Sequence, residues 1–264
     1  MTQPLRAPSR ITSRDNPLLL RLRRLAQDSA AHRRLGQVWI EGEHLCTALR
    51  ARGLPAAQAL IAEEAWNQPG LRELAAWAAK VTLVPVALFK GISALESPAA
   101  LGFVIDLPPL AALAPRVASV VLDRVQDAGN VGSILRSAAA FGAGQVLALK
   151  GTAGLWSPKV LRAGMGAHFG LRLIEGLEES ALDGLKLPLV AASPHAAALL
   201  PDAALPSPCA WVLGHEGQGV SASLARRCAL QVRIPQPGGE ESLNVAAAAA
   251  VCLYESARRR GAGS

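Results

Sequence analysis

Three glycine-bearing segments of the chain carry polar side chains of the kinds that do chemistry. The first contains Asn130 and Arg136, the second contains Glu216, and the third contains Ser242 and Asn244. Each adjoins an apolar stretch, so each is predicted to be a loop at a strand end or a helix start. Polar groups held there by apolar elements are the usual material of a site. Together the three segments predict an enzyme.

In the first segment a loop, 129–132, turns into a helix. Free backbone N–H groups and the positive end of the helix dipole suit an anion such as phosphate, although Asn130 could simply cap this helix. Arg136 falls between apolar residues on a helix almost free of charge. It is therefore predicted to face a cleft and to need a carboxylate or an RNA phosphate, and the alternative is a solvated helix face.

The second segment, 214–219, has three glycines around Glu216. Such a loop lets a ligand approach the backbone, and its carboxylate could hold a ribose hydroxyl or orient Arg136. The alternative is an ordinary turn whose glycines serve only positive φ. In the third segment, Ser242 is the predicted N-cap of the last helix and Asn244 sits in its first turn. Because asparagine is a poor helix former, this position favours a functional Asn244.

The sequence lacks the signature motifs of several other enzyme classes. No G-x-G-x-x-G follows the first predicted strand, and neither G-x-x-x-x-G-K-[ST] nor G-x-S-x-G occurs, which argues against nicotinamide enzymes, P-loop enzymes and α/β-hydrolases. The four cysteines are widely separated, with no Cys-x-x-Cys pair and no histidine at ligand spacing. We therefore expect no metal site, and buried thiols in a reducing cytoplasm.

The charge of the chain is concentrated at its start. Residues 1–36 contain eight Arg and two Asp, a net +6 of the chain's formal +7. The segment could be a solvated helix, a transit peptide or, as we favour, an arm that tracks a nucleic-acid backbone. Leu18, Leu19, Leu22 and Leu25 fall at helical spacing, which predicts a folded amphipathic helix. The longest apolar run, 245–254, is too short to cross a bilayer, so no membrane span is expected.

The elements that must hold the three segments alternate along the chain. Residues 37–106 alternate short strands with helical patterns, which predicts a small α/β domain. A proline-containing stretch, 107–116, is the predicted linker. Residues 117–264 repeat the alternation with near-continuous apolar strands, typical of a parallel sheet covered on both faces. The predicted strands there are 117–122, 145–149, 168–174, 189–192, 210–213 and 231–234. The main predicted helices are 131–141 and 243–259.

In order and spacing the three segments resemble the motifs of the SpoU (TrmH) branch of the SPOUT RNA methyltransferases. The residues that carry the resemblance are Asp123 through Arg136, Leu213 through Gly217, and Ile234-Pro235 with Glu241-Ser242-Leu243-Asn244-Val245. The resemblance covers residues 117–258 closely. Residues 37–106 are similar, more loosely, to the L30e-like substrate-binding domain that many members carry.

The resemblance implies a homodimer whose catalytic domain ends in a trefoil knot, and a metal-free transfer of methyl from S-adenosyl-L-methionine to a ribose 2′-hydroxyl. It implies that the donor contacts Gly214, Ile234 and Leu243. It implies that the catalytic group is Asn130, Arg136, Glu216, Ser242 and Asn244. The matching arginine is often assigned as the base. A guanidinium is not deprotonated in proteins, so Arg136 is expected to grip a phosphate and polarise the hydroxyl instead. The residue at His215 varies in the family and is expected to be incidental.

The expected substrate is structured RNA in the cytoplasm. Ribosomal RNA, 23S in particular, is favoured over transfer RNA, because the separate N-terminal domain and the Arg-rich arm offer a wide backbone-binding surface. The alternatives are a transfer RNA methyltransferase and a non-catalytic RNA-binding or ribosome-assembly protein on the same fold.

Overall fold

A computed structural model describes residues 7–93, 95–239 and 242–261 of the chain. Arg6 of the basic arm and Glu241 of the third segment lie outside the described residues. The chain divides into two units. Unit 1 comprises Met1–Pro109 with Trp156–Leu161, and unit 2 comprises Leu110–Leu155 with Arg162–Ser264.

Unit 1 contains a five-stranded mixed sheet. Its strands are β1 Ser9–Arg10, β2 Gln37–Glu41, β3 Gln58–Ala62, β4 Val81–Val84 and β5 Leu101–Asp106. Its helices are α1 Pro17–Gln27, α2 Ala31–Leu35, α3 Glu43–Ala51, α4 Pro69–Ala75 and α5 Val86–Lys90, with a 3-10 turn at Glu63–Asn67. The strand order is β1-β4-β3-β5-β2. β1 and β3 run parallel to β4, whereas β5 runs antiparallel to β3 and β2.

Helix α1 is the amphipathic helix predicted from the leucine spacing, and that prediction is confirmed. Its side chains Leu19, Leu22 and Leu25 are buried and pack in one hydrophobic cluster with Trp39 and Phe89. Burial of large apolar side chains is the main force that holds such a core together. The helix within the basic arm is therefore part of the core of unit 1, and deletion of residues 1–36 would open that core.

Unit 2 contains a seven-stranded sheet. Its strands are β6 Ser119–Asp123, β7 Gln145–Leu149, β8 Arg172–Leu177, β9 Leu189–Ala192, β10 Ala198–Leu199, β11 Ala210–Gly214 and β12 Leu230–Arg233. Its helices are α6 Ala128–Ala140, α7 Pro158–Gly164, which begins in the short segment assigned to unit 1, α8 Ala222–Arg227 and α9 Val245–Gly261, with 3-10 turns at Ala167–Gly170 and Glu179–Gly184. The order is β10-β12-β9-β11-β6-β7-β8, and all neighbours are parallel. The inner strands β6, β7 and β11 are buried throughout, as a parallel sheet covered on both faces requires.

One strand prediction is wrong in its first half. Residues 168–171 do not extend the sheet, and strand β8 begins only at Arg172. Gly166 adopts a positive φ of +88° and turns the chain. His168 then enters the core, 2% exposed, with Nε2 2.8 Å from the carbonyl oxygen of Leu155. Burial lowers the pKa of His168 to about 4, so the ring is neutral and acts as a core residue.

The sheet itself brings the first two segments together. β6 and β11 are neighbours, and their last residues, Asp123 and Gly214, are paired. Because parallel strands end at the same edge, the loops that follow them emerge side by side. None of the described helices is both long enough and apolar enough to cross a membrane.

Candidate active site

The carboxylate of Glu216 joins the loop after β11 to the start of α6. Its Oε1 accepts hydrogen bonds from the Asp127 N–H at 3.0 Å and from Asn130 Nδ2 at 3.1 Å. Its Oε2 accepts from the Gln126 N–H at 3.2 Å. Three donors of the first segment therefore converge on one side chain of the second segment.

Asn130 continues this chain of hydrogen bonds to the third segment. Its Oδ1 accepts from Nδ2 of Asn244 at 2.9 Å. We call Asn130, Glu216 and Asn244 the fixed set, because each side chain is held by at least one of the others. An amide that both donates and accepts has a defined orientation, so the fixed set locks the three loops into one arrangement.

The N-caps of α6 and α9 are neither Asn130, which was considered as an alternative, nor Ser242, which was predicted. Asp127, not Asn130, is the N-cap of α6, and its Oδ1 accepts from the Asn130 N–H at 2.7 Å. At α9 the prediction of Ser242 as cap is wrong, since Asn244 Oδ1 accepts from the N–H groups of Ala246 at 2.9 Å and Ala247 at 3.3 Å. Asn244 therefore precedes the helix, and one amide both caps α9 and holds the fixed set.

The surroundings of Glu216 favour its charged form. Partial burial, the largest single influence, raises the pKa of the carboxyl group. The hydrogen bonds from Asp127, Asn130 and Gln126 together outweigh it and hold the pKa of Glu216 below its usual value. Glu216 is therefore an anion at neutral pH and an acceptor for all three donors.

Two glycines shape the loop around Glu216, for different reasons. A Cβ atom on Gly214 would lie 2.1 Å from the carbonyl carbon of Gly219 and from the nitrogen of Val220. Gly219 has a φ of +67°, which favours glycine. The interpretation that the glycines are needed only for a positive φ therefore holds for Gly219 but is wrong for Gly214. At Gly214 the absence of a side chain lets the loop fold back on its own start.

His215 has a structural task in the same loop. Its Nδ1 accepts hydrogen bonds from the N–H groups of Gly217 at 3.0 Å and Gln218 at 3.3 Å. An imidazole nitrogen that accepts hydrogen bonds from the backbone has no lone pair left to accept a proton from a substrate. This contact accounts for His215 without a part in the reaction.

A second link between the first two segments was missed by the sequence analysis. The buried Asp123 accepts from the Ser221 N–H at 2.6 Å through Oδ2 and from Arg124 Nε at 3.0 Å through Oδ1. Arg124 Nη1 donates in turn to Gln218 Oε1 at 2.9 Å, and Arg124 itself has a φ of +59°. Burial raises the pKa of Asp123, but the bonds from Arg124 and Ser221 outweigh it and lower that pKa. An acid at the end of an apolar strand was the signal that could have found this link.

A cleft of about 610 Å³ opens beside the fixed set. Gly214, Ile234 and Leu243, predicted to contact the methyl donor, all line it. We call it the donor cleft. Glu216, Ser242 and Asn244 also line the donor cleft, whereas Asn130 and Arg136 do not. Its volume lies within the range of small-molecule sites.

Arg136 lies apart from the fixed set. It is exposed on the face of α6 that also carries Ser133 and Ala140. Within the residues that the structure describes, its guanidinium makes no hydrogen bond and no ion pair. The prediction that Glu216 orients Arg136 is therefore wrong, because the Glu216 carboxylate is occupied by the first turn of α6. Ser242 is also exposed and makes no hydrogen bond to a described residue.

The cysteines and the acidic side chains give no metal site in the described ranges. No group of three or more His, Cys, Asp or Glu side chains there could hold a metal ion. All four cysteines are free, and Cys46, Cys209 and Cys252 are buried. Burial raises the pKa of Cys209 to about 11 and that of Cys252 to about 12, so these thiols are protonated and unreactive.

Residues 118–254 match the SpoU rRNA Methylase family. The chain belongs to this family. An uncharacterized tRNA/rRNA methyltransferase of Synechocystis sp. is 33% identical over 270 residues, 96% of this chain and 95% of that protein. The 23S rRNA (guanosine(2553)-2′-O)-methyltransferase RlmP of Bacillus subtilis is 31% identical over 221 residues, 81% of this chain and 86% of that protein.

A solved structure is similar over nearly the whole chain. It is an AdoMet-bound rRNA methyltransferase from Sinorhizobium meliloti, with a TM-score of 0.83 and 26% identity over 96% of this chain and 98% of that one. The predicted family, the α/β fold with a parallel sheet and the enzyme class, RNA methyltransferase, are confirmed. The trefoil knot and the L30e-like nature of unit 1 stay predictions.

Proposed function

We propose that this protein transfers the methyl group of S-adenosyl-L-methionine to a ribose 2′-hydroxyl of 23S ribosomal RNA. The observation that carries the proposal is the fixed set beside the donor cleft, since Glu216, Asn130 and Asn244 hold three loops in one arrangement before any ligand is present. Prearranged polar groups cost no reorganisation when the reaction occurs.

The residues of the donor cleft fit the methyl donor. The closely packed backbone of Gly214, Gly219 and Val220 lines the cleft, and Ile234 and Leu243 add apolar surface. S-adenosyl-L-methionine supplies an electrophilic methyl group on sulfur when it is bound. The lining mixes apolar residues with polar side chains such as Glu216, Ser242 and Asn244 in comparable measure, which suits a ligand that carries both apolar and charged groups.

In this proposal, Arg136 binds a phosphate of the RNA. A guanidinium with no partner among the described residues is free to form a bidentate contact with a phosphate. From that contact it polarises the attacking 2′-hydroxyl, while the fixed set holds the loops and Ser242 contacts the reacting region. As the ribose oxygen bonds to the methyl carbon, the bond from that carbon to sulfur breaks with its electrons left on sulfur, and the hydroxyl proton passes to solvent water.

Ribosomal RNA is the proposed substrate class, and unit 1 is the proposed RNA-binding domain. RlmP, which resembles this chain over most of both proteins, is named for a 23S rRNA position. The basic residues of 1–36 add phosphate contacts to a large folded target. The free, mostly buried cysteines support a cytoplasmic location for the protein, because the cytoplasm keeps thiols reduced.

We also propose that the protein acts as a homodimer through α6 and α9. Helix α9 exposes an apolar stripe of Ala247, Val251 and Tyr254, and the last two are 41% and 54% exposed. The Tyr254 ring packs edge-on against Phe141 at the end of α6, with ring centroids 5.8 Å apart. The exposed apolar stripe of α9, together with Phe141 at the end of α6, suits a two-fold contact. Tyr254→Glu should yield monomers by light scattering, whereas an unchanged mass would contradict the dimer.

The reaction is tested by methyl transfer from labelled S-adenosyl-L-methionine to unmodified ribosomal and transfer RNA pools, followed by nucleoside analysis. A 2′-O-methylated nucleoside from the ribosomal pool is the expected product. Transfer only to transfer RNA would contradict the substrate class. Tight RNA binding without any transfer would contradict the reaction and leave an RNA-binding protein on this fold.

A further inference from the structure

The ring of Trp77 lies at the surface of unit 1. Trp77, three residues before Lys80 in the turn after α4, is 40% exposed. Trp39, Trp156 and Trp211 are at most 8% exposed. Trp66 is partly buried, so Trp77 is the most exposed of the five tryptophans, and with the 37% exposed Leu54 it forms an apolar surface patch.

The Trp77 ring is held in place by the protein. Its Nε1 donates to the carbonyl oxygen of Leu54 at 2.8 Å, and the Ala79 N–H donates to the carbonyl oxygen of Ala56 at 2.9 Å. The indole has a single hydrogen-bond donor, and that donor is used inside the protein. The exposed part of Trp77 therefore offers only its ring surface, so its interaction with a ligand is stacking or apolar contact.

Two cations lie close in sequence to Trp77 and to Leu54, its hydrogen-bond partner. Arg52 lies two residues before Leu54, and Lys80 follows Trp77; both are exposed. Neither side chain makes an ion pair or a hydrogen bond in the described part of the chain. The nearby carboxylate of Glu73 is already paired with Arg50, with Oε1 3.2 Å from Nη1. A fixed aromatic ring, with exposed cations two residues from its hydrogen-bond partner and three residues from the ring itself, matches the chemistry of single-stranded nucleic acid.

We propose that Leu54, Trp77, Arg52 and Lys80, here called the indole patch, bind an unpaired segment of the substrate RNA. One base stacks on Trp77 against Leu54, and Arg52 and Lys80 contact the adjoining phosphates. Unpaired bases are the part of a folded RNA that a protein aromatic can reach, because paired bases are already stacked. The proposal rests on the proposed function, since it assigns a contact for the RNA that is methylated.

The test compares full-length Trp77→Leu, Trp77→Phe and wild-type protein. The probes are a short fluorescein-labelled single-stranded RNA and a blunt duplex of the same sequence, and the readout is anisotropy. Trp77→Leu should bind the single strand about tenfold more weakly, the size expected for the loss of one stacked base. Trp77→Phe keeps a ring and should stay within about threefold of wild type. Duplex affinity should not change in either variant.

Matched variants separate stacking from general effects. Leu110→Ala removes an 80% exposed apolar side chain elsewhere and should leave RNA affinity unchanged. Arg52→Gln and Lys80→Gln should each lower the slope of log affinity against log salt by about 0.7, the value for one phosphate contact with a single strand. An unchanged single-strand affinity in Trp77→Leu overturns the proposal. A lower oligomer mass in Trp77→Leu with unchanged RNA affinity also overturns it and assigns the patch to protein contact.

The same variants separate this proposal from the proposed function. In methyl transfer to ribosomal RNA, Trp77→Leu should raise the KM for RNA about tenfold, with kcat and donor affinity unchanged. If the wild type transfers no methyl group but binding depends on Trp77, the proposed reaction fails and the indole patch stands. If transfer occurs and Trp77→Leu matches the wild type in both assays, only the indole patch fails.

Discussion

The polar residues of the site fall into two groups that the protein treats differently. Asn130, Glu216 and Asn244 satisfy one another and the adjacent backbone through hydrogen bonds. Arg136 and Ser242 are exposed and make no hydrogen bond to a described residue. The protein thus fixes the first group by its own hydrogen bonds, whereas the side chains of the second group gain partners only when a ligand binds.

This difference separates geometry from chemistry. A preformed hydrogen-bond network fixes positions within the site, whereas an unpaired guanidinium gains its partner only in the complex. Changes to the fixed set should therefore disturb donor binding and stability, and changes to the exposed group should disturb turnover with little effect on either.

Arg136→Ala should have the largest effect on the reaction. Loss of its proposed contact with phosphate and hydroxyl removes charge stabilisation in the transition state, so kcat should fall about 10³-fold. Donor affinity should be nearly unchanged, because Arg136 does not line the donor cleft. Single-turnover rates and donor calorimetry check both statements. Arg226→Ala, at an exposed arginine of α8, is the matched control and should keep full turnover. Retained turnover in Arg136→Ala would contradict its proposed role.

Gly214→Ala should disturb the fixed set indirectly, by displacing the backbone of the loop that carries Glu216. The new Cβ would lie 2.1 Å from two backbone atoms of Gly219 and Val220, so the loop must open. A shift of about 1 Å in a positioned loop costs about 100-fold in kcat/KM, and donor affinity should fall with it. Gly217→Ala is the matched control, because its Cβ would meet only His215 ring atoms, at 3.9 Å. Equal behaviour of the two variants would show that close approach at Gly214 is unimportant.

Glu216→Gln should have a smaller effect of a different kind. The amide keeps one acceptor oxygen but turns an NH₂ group toward donors that now lack a partner. The loss of charged hydrogen bonds should lower kcat/KM about tenfold and destabilise the protein by about 1 kcal/mol at pH 7, because solvent partly screens the exposed carboxylate. Thermal unfolding and initial rates measure the two effects.

The pH dependence of that destabilisation follows from the lowered pKa of Glu216. A carboxyl group whose folded pKa lies below its unfolded value stabilises the protein above the unfolded value. That stabilisation is lost as pH falls through the folded pKa. The difference in unfolding free energy between wild type and Glu216→Gln should therefore shrink as pH falls from 7 toward the folded pKa. A difference that stays constant over this range would show that the charge of Glu216 contributes nothing.

The sequence predicted the fold better than the contacts within the site. Apolar runs such as 145–149 and 189–192 matched their strands residue for residue, because continuous burial in a parallel sheet leaves a strong pattern. The strand predicted at 168–174 failed at the buried His168, where a glycine turn overrides an extended pattern. The approach of Gly214 to Gly219 could not be predicted, since it depends on how a loop folds in space.

Within the site, residue types indicated which positions carry chemistry but not which of them meet. Asn244 was singled out as a poor helix former, yet it lies before α9 and caps it. Orienting Arg136 was one of two roles considered for Glu216, but the sheet places Asn130 and two backbone N–H groups nearer. Spacing along the chain does not reveal pairs such as Arg124 and Gln218, which lie 94 residues apart and are brought together by neighbouring strands.

The smallest expected effect concerns Arg124, whose side chain ties the two segments while its backbone has a φ of +59°. Arg124→Ala and Arg124→Gly remove the same contacts with Asp123 and Gln218, but only glycine adopts this φ without strain. The glycine variant should therefore be more stable than the alanine variant by about 1 kcal/mol in urea unfolding. Both should raise the KM for the donor only about twofold, since the fixed set and the bond from Ser221 to Asp123 still join the segments. Equal stability of the two variants would mean that the backbone relaxes once the side chain is lost, and that the guanidinium, not the chain, holds this conformation in place.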